Sequence, residues 1–452
     1  SLTGLVGPEQ HLWARRNRSV GVMKHEHNLH HLFPPGRYYP SKAWFYPTID
    51  GALRVPGNDR VQSWQPCFSA EGLVEEAVAN ICAWFEANPY ESFYSLAIND
   101  SYYFCECSKC LPRYQGETFL GAPNASDLYY HWANAVAEGV LARFPDKWFG
   151  TLAYNNLIEP PSFSIHPRIV PFMTFDRLKW VDGDVKEHGL ELTRLFEEKT
   201  GVLAWYDYLY GTPYCIPRIY FHQMAANYAH AARLGVKAHV AEAYPNWGEG
   251  PKLWLALKLQ WNPLADVDAL LKTWYEAAVG KEAAADLAAF YQFWETYWTE
   301  RIVDSDWFKA PGQFMWFGEP YYLNGLTHED LTRSRALLDA VLQKCGSRAQ
   351  KKRARLIAKA FDYYQASGHS YLGLVNHDLQ PGKDRDHYIK LNRKRKKFLK
   401  KYQDHPFLLH RFRMDTRASL NLLDWENTDA LKAHLLHLAD LRKKGQNQGG
   451  RK

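Results

Sequence analysis

The 452 residues contain no run of about 18 apolar side chains, so no segment reads as a membrane-spanning helix. No glycine-rich phosphate fingerprint follows any predicted strand, which removes the commonest reason for an open dinucleotide-binding sheet. The helical H-E-x-x-H spacing of a catalytic zinc site is also missing, although His25, Glu26, His27, Asn28, His30 and His31 crowd into one short stretch. Polar contacts to a ligand's hydroxyl groups suit that stretch better than a metal, with His27 and Asn28 the best candidates. Residue 1 is Ser and no signal peptide is recognisable, so the chain reads as trimmed or processed at its front.

The net charge of +6 is unevenly spread. Lys and Arg gather after Lys344, in Lys351 to Arg355 and Asn392 to Lys401, as on solvated helix faces or tails. No nucleic-acid-binding motif accompanies them, so nucleic acid is not expected as a partner. A mild positive excess would suit an acidic polysaccharide. Aromatic residues are abundant: 17 Trp, 28 Tyr and 23 Phe make 15% of the chain. Many must fill a core, yet Trp and Tyr beside strand ends are also the rings that stack on apolar sugar faces.

Strand and helix signals alternate through the first half. Apolar, β-rich stretches predict strands near residues 20, 62, 93, 148, 169, 202 and 236. Between them run amphipathic helices over 70–87, 126–144, 184–199, 217–234 and 251–260, with Ser126 as a candidate N-cap and Gly201 and Gly235 as stops. Residues 34–57 form a long Pro/Gly/Tyr loop without periodicity. Alternation of this kind implies a parallel sheet with right-handed crossovers. The expected architecture is a (β/α)8 TIM-like barrel over residues 1–262, its first strand missing or irregular. An all-α C-terminal domain follows over 263–442, with helices near 265–279, 282–301, 328–344, 347–366 and 429–442. Residues 443–452 read as a disordered tail.

The organising stretch is Phe93 to Cys110, FYSLAINDSYYFCECSKC, a strand that delivers Asn99 and Asp100 at its carboxyl end. Barrel enzymes keep their chemistry at that end of their strands. Other strand ends supply Tyr154, Asn155 and Asn156, then Asp176 and Arg177, then Trp205, Tyr206, Asp207 and Tyr208, then His239, Glu242, Tyr244 and Trp247. Three carboxylates stand out as candidate catalytic groups: Asp100, Asp207 and Glu242. Glycoside hydrolysis needs one protonated carboxyl and a second acting as base or nucleophile across the sugar ring. Asp100 and Asp207, on opposite sides of a closed barrel, are the expected pair, with Glu242 as substitute partner. No cofactor is needed for such chemistry. The expected substrate-binding set is His27, Asn28, Asn99, Tyr154, Asn155, Trp205, Tyr206, Tyr208, His239, Tyr244 and Trp247. A polysaccharide lyase with Tyr154, Tyr208 or His27 as base is the alternative enzyme; a non-catalytic carbohydrate-binding barrel is the alternative outside enzymes.

Cys105, Cys107 and Cys110 form a C-x-C-x2-C cluster, and Cys67, at the end of the preceding expected strand, is a candidate fourth thiol. A structural zinc site, a pair of disulfides and inert thiols are all compatible with that spacing.

Four blocks resemble a known family: AINDSYYFCECSKC, Leu152 to Tyr154, VLAWYDYLYG from Val202, and GVKAHVAEAYPNWGEGPKLWLALKLQWNPLADVD from Gly235. With WARRNR and QPCFS the similarity covers about residues 10 to 300. The chain resembles the DUF4838 family, bacterial domains of unknown function in the glycoside-hydrolase TIM-barrel superfamily near the α-glucuronidases. The resemblance implies a secreted or periplasmic barrel acting on a polysaccharide, commonly preceded by a small α/β domain that this chain lacks. It also implies an acid after the fourth strand and a second carboxylate late in the barrel, here Asp100 and then Asp207 or Glu242. Asp100 stands where a Glu is more usual after Asn, a shorter arm that leaves retaining and inverting chemistry both open.

Overall fold

The computed structural model describes residues 2–405 except 6, 20, 22, 212–213, 316, 318–319, 377–382 and 403–404. The expected helix at 429–442 and the tail at 443–452 lie outside the described residues, as do Val20 and Val22 of an expected strand.

Six parallel strands form one half-barrel sheet, in the order β1 (Leu2–Thr3), β8 (Ala238–Glu242), β7 (Ala204–Tyr208), β6 (Ile169–Phe175), β5 (Trp148–Ala153) and β4 (Phe93–Ser95). A separate antiparallel hairpin, β2 (Thr48–Ile49) and β3 (Ala52–Leu53), lies within the long Pro/Gly/Tyr loop. The first strand is thus present, at the start of the chain, with Thr3 in register with Glu242. The other two expected members, near 20 and 62, are not strands among the described residues. Side-chain amides replace ladder bonds there. Asn28 Nδ2 donates to the Ser95 carbonyl at 2.8 Å, and Gln65 Nε2 donates to the carbonyls of Asn99 and Ser101 at 2.8 and 3.1 Å.

Helices cover the outer face. Tyr129 of the helix Ser126–Leu141 bonds Thr151 on β5, and Thr193 of the helix Gly183–Lys199 donates to Met173 Sδ on β6. Asp182 caps the latter helix by accepting from the Asp184 and Val185 amides. Ser126 does not act as the cap it was expected to be; its hydroxyl donates to the Glu159 carbonyl and its amide is held by Asn124. On the inner face the segment through His25 lies against the sheet. The His25 ring stacks on Phe172 at 4.5 Å and meets Tyr206 edge-on at 5.5 Å. Gly150 makes room for it, since a Cβ there would stand 2.1 Å from the Lys24 carbonyl oxygen.

After Trp261 the described residues carry helices and no strand: Val267–Val279, Lys281–Thr296, His328–Lys344, Arg348–Tyr371 and Lys383–Tyr402. The two basic runs lie on the last two of these. One buried apolar cluster joins this region to the strand ends, from Leu2, Tyr208 and Tyr244 through Trp294 and Trp298 to Phe361 and Leu399. At roughly 1.5–3 kcal/mol for each fully buried large apolar side chain, that shared core ties the helices to the sheet.

Candidate active site

Side chains alternate along a strand, so adjacent residues at one strand end face opposite sides. In β7 and β8, Tyr206, Tyr208 and Glu242 share one phase, with Tyr208 in register with Glu242. Trp205, Asp207 and His239 share the other, with Trp205 in register with His239. The first set faces the inside of the half-barrel and the second faces the helices.

On the inside, the Tyr206 hydroxyl donates to Glu242 Oε1 at 2.6 Å. The Tyr208 ring lies 5.6 Å from Tyr206 and 5.2 Å from Tyr210, which stacks on Tyr244 at 5.6 Å. Beyond β5, the Tyr154 hydroxyl donates to Asp100 Oδ1 at 3.3 Å. His27 Nε2 stands 4.0 Å from the same oxygen, its ring fixed by a 2.5 Å contact between Nδ1 and the Ile98 carbonyl. Tyr208 completes the row, in register with Glu242 and near enough to Tyr154 for the two phenols to influence each other's ionisation. Two carboxylates, at the ends of β4 and β8, are therefore joined by a row of phenols. Burial pushes Tyr154, Tyr206 and Tyr208 well above the ordinary phenol range, and the charges of Asp100 and Glu242 push the first two further. They stay protonated, as donors. The Asp100 side chain is 60% exposed, beside the exposed rings of Tyr102 and Tyr103.

Two backbone outliers mark the same rim. Asn155 has φ of 53° and Tyr244 of 39°, left-handed values that cost an ordinary side chain energy and tend to collect at functional sites. Asn155 is buried. A loop from the helical region closes over it. Gln313 Oε1 accepts from the Asn155 backbone N–H at 2.6 Å, its Nε2 donates to the Thr174 carbonyl at 2.7 Å, and Phe314 packs 5.7 Å from Tyr208. Gln313 and Phe314 were not among the expected site residues. The aromatic run Phe314 to Tyr322, without helical period between two helices, was the signal available.

The outer set corrects several expectations. Asp207 is 1% exposed. Its Oδ1 accepts from the backbone amides of Arg177 and Tyr208 at 3.2 and 2.8 Å, and its Oδ2 lies 3.8 Å from Arg177 Nη1 and 3.7 Å from His239 Nε2. Burial opposes its ionisation, but His239 and Arg177 outweigh it and hold the carboxyl below its ordinary value. An anion so enclosed cannot reach a sugar, and Asp207 is not paired with Asp100. Trp205 is fully buried with the Arg177 guanidinium 3.7 Å above its ring, so it offers no stacking surface. Burial takes His239 down to about 4, and its ring packs on Tyr228 of the helix Phe221–Arg233. Asn99, also fully buried, holds loops together: its side chain accepts from the His30 amide at 2.7 Å and donates to the Trp64 carbonyl at 2.9 Å. Asn28 is likewise tied to β4. Trp247 lines a cleft with Leu5, Trp13 and Leu253 that includes neither Asp100 nor Glu242.

Beneath the strand ends lies a second buried charge network. Arg218 bonds Asp176 and donates to the Tyr208 carbonyl at 2.7 Å, while Lys252 bonds Glu249 at 2.6 Å and the Tyr210 carbonyl at 2.9 Å. Burial lifts Glu249 to about 7 and lowers Lys252 to about 8. A groove of about 410 Å³ opens at the amino ends of the strands, among Met23, Trp205, His239 and Trp261, and contains none of the three candidate carboxylates.

No helix among the described residues is long and apolar enough to cross a membrane. No curated protein matches the sequence. Among solved structures, a GH138 enzyme targeting pectin rhamnogalacturonan II aligns at 10% identity and a TM-score of 0.44, over 85% of this chain and 54% of that one. A family GH115 4-O-methyl-α-glucuronidase with specificity for decorated arabinogalactans aligns at 10% identity and 0.44, over 76% of this chain and 46% of that one. The chain spans about half the length of each. A family model of a domain of unknown function, DUF4838, matches residues 9–292, well over half of the chain, and the protein belongs to that family.

Proposed function

We propose that this chain hydrolyses glycosidic bonds in a poly- or oligosaccharide, with Asp100 as general acid and Glu242 as the second carboxylate, base or nucleophile. The observation that carries the reading is the phenol row between two carboxylates at the strand ends, each accepting from a tyrosine hydroxyl. A sugar lying on the exposed rings of Tyr102 and Tyr103 would cover Asp100 and bring its carboxyl to the leaving oxygen. His27, half-buried beside Asp100, would meet sugar hydroxyls at the rim. The lyase reading is weaker for a tyrosine base, which needs a lowered pKa where Tyr154 and Tyr208 are both raised; His27 is then its one remaining candidate base. An acidic glycan is suggested by the +6 net charge alone. Two arginines at the strand ends, Arg177 and Arg218, are buried and paired with Asp207 and Asp176.

The test is a screen of acidic and neutral glycans with mass spectrometry of the products. Wild-type products should carry one added water. Asp100→Asn and Glu242→Gln should each lose about 10²–10⁴-fold in turnover, with circular dichroism and melting temperature unchanged. A folded variant within about threefold of wild type would remove that residue from the mechanism. Unsaturated products would replace hydrolysis by elimination, and calorimetric glycan binding without any product would leave a binding barrel.

A further inference from the structure

Four of the seven cysteines converge where the loop after β4 meets the segment 64–68. The sulfurs of Cys67, Cys105, Cys107 and Cys110 all lie within 4.8 Å of one another, and none is disulfide-bonded. Cys67 Sγ is 3.7 Å from Cys107 Sγ and also 3.7 Å from Cys110 Sγ. Four sulfurs each about 2.3 Å from a central zinc make a tetrahedron with edges of about 3.8 Å. Equal spacing to two partners fits one shared ion; a disulfide would single out one of them. We propose that Cys67, Cys105, Cys107 and Cys110 hold one zinc ion as a tetrahedral tetrathiolate, and that this ion fastens the loop that carries Asp100.

The surroundings fit a closed structural site. Cys67, Cys105 and Cys110 are buried and Cys107 is half-buried, leaving no open coordination position of the kind catalytic zinc needs. The Thr48 amide points at Cys105 Sγ from 3.4 Å, the kind of N–H···S contact that orients a ligand thiolate. Three ligands come from one short loop and the fourth from a distant segment, so the ion would close the gap between them. Beside it, Gln65 and Asn99 already bond the same two segments: Gln65 Oε1 accepts from the Asn99 amide at 3.0 Å. The zinc would lock the far side of that junction, with Asp100 on the span between. The inference is independent of what the enzyme acts on, because its test reads metal and thiols.

Elemental analysis of the full chain, purified under reducing conditions, should find about one zinc per molecule. Titration with an organomercurial should release it as the four thiols are modified. Cys67→Ser should lower the zinc content at least fivefold, whereas Cys345→Ser should leave it unchanged. Should the serine variant fail to fold, cobalt(II) exchanged into wild-type protein gives a readout of its own: the intense visible bands of a tetrahedral tetrathiolate. Zinc removal should increase deuterium uptake in peptides covering 64–69 and 99–110; unchanged uptake there would overturn the fastening role. Less than a tenth of an equivalent of zinc after refilling, iron in its place, or a peptide map with Cys67 in a disulfide would each overturn the metal assignment.

Discussion

Inner and outer faces of the same strand ends use the same residue types and put them to opposite ends. Glu242 and Asp207 sit on neighbouring strands, both at the carboxyl end of the sheet. Glu242 points inward and is half-buried, accepting from the Tyr206 hydroxyl. Asp207 points outward and is enclosed by Arg177, His239 and two backbone amides. One phase of the strand lines the inside of the half-barrel and the other is consumed in holding helices to the sheet. A carboxylate at a strand end is thus informative about chemistry only once its phase is known.

The hardest test of that contrast is Asp207→Ala. It leaves the Arg177 guanidinium buried without its partner, and breaking a buried pair in this way costs about 3–5 kcal/mol. Chemical denaturation should show that loss, while turnover per folded molecule stays within about threefold of wild type. Should Asp207→Asn instead abolish turnover with an unchanged melting temperature, the division into working and holding faces fails.

Much of the sheet could be read from the sequence because its strands are short apolar runs bounded by turn residues. Ile169–Phe175 is buried throughout, the apolar run expected near residue 169, and the alternation with helices implied parallel pairing. Residues 61–68 misled because a β-rich composition there is overridden by Gln65 and Pro66, the amide bonding sideways to Asn99. The site was legible in part. Asp100, His27, Tyr154, Tyr206, Tyr208 and Glu242 converge as strand-end residues should, but Trp205, Asp207 and His239 do not. Strand phase would have separated them, since Tyr206 and Tyr208 differ from Asp207 by one residue, but phase needs a known inner face. Gln313 and Phe314 could not be placed, because nothing local says that a loop after residue 309 returns to β5 and β6.

A second test uses protons. Buried His239 has its pKa lowered from 6.5 to about 4. Between those values the unfolded chain binds a proton that the folded chain refuses, so stability falls as pH drops from 6.5 towards 4, by up to about 3 kcal/mol. Glu249 works the other way. Its pKa is raised from 4.5 to about 7, so the folded chain binds the extra proton in that window and stability rises as pH falls. The two contributions oppose each other where they overlap, giving a shallow wild-type profile. His239→Gln should therefore gain on wild type steadily from pH 6.5 to 4 in denaturation curves, with no change in the shape of the pH–rate profile. A parallel offset between the two stability curves would show that His239 is not a proton-refusing part of the outer face.

The smallest expected effect compares two tyrosines that each lose only a hydroxyl. Tyr206→Phe removes the 2.6 Å donor to Glu242 and leaves the ring in place. A hydrogen bond that steadies a reacting carboxylate is felt in the barrier, and about 1.4 kcal/mol there is a tenfold loss of turnover. Stability should barely move, because Glu242 is half-buried and water can replace the missing donor. Tyr129→Phe, on the helix side, removes a fully buried hydroxyl that donates to the Leu96 carbonyl at 2.8 Å and also bonds Thr151. No water reaches those partners, so about 1 kcal/mol or more of stability should go, with turnover unchanged. The two variants should thus exchange signatures, one read in kcat and the other in melting temperature. If both lower only the melting temperature, Glu242 belongs with Asp207 as a holding group, and the second carboxylate of the proposed reaction must be sought elsewhere.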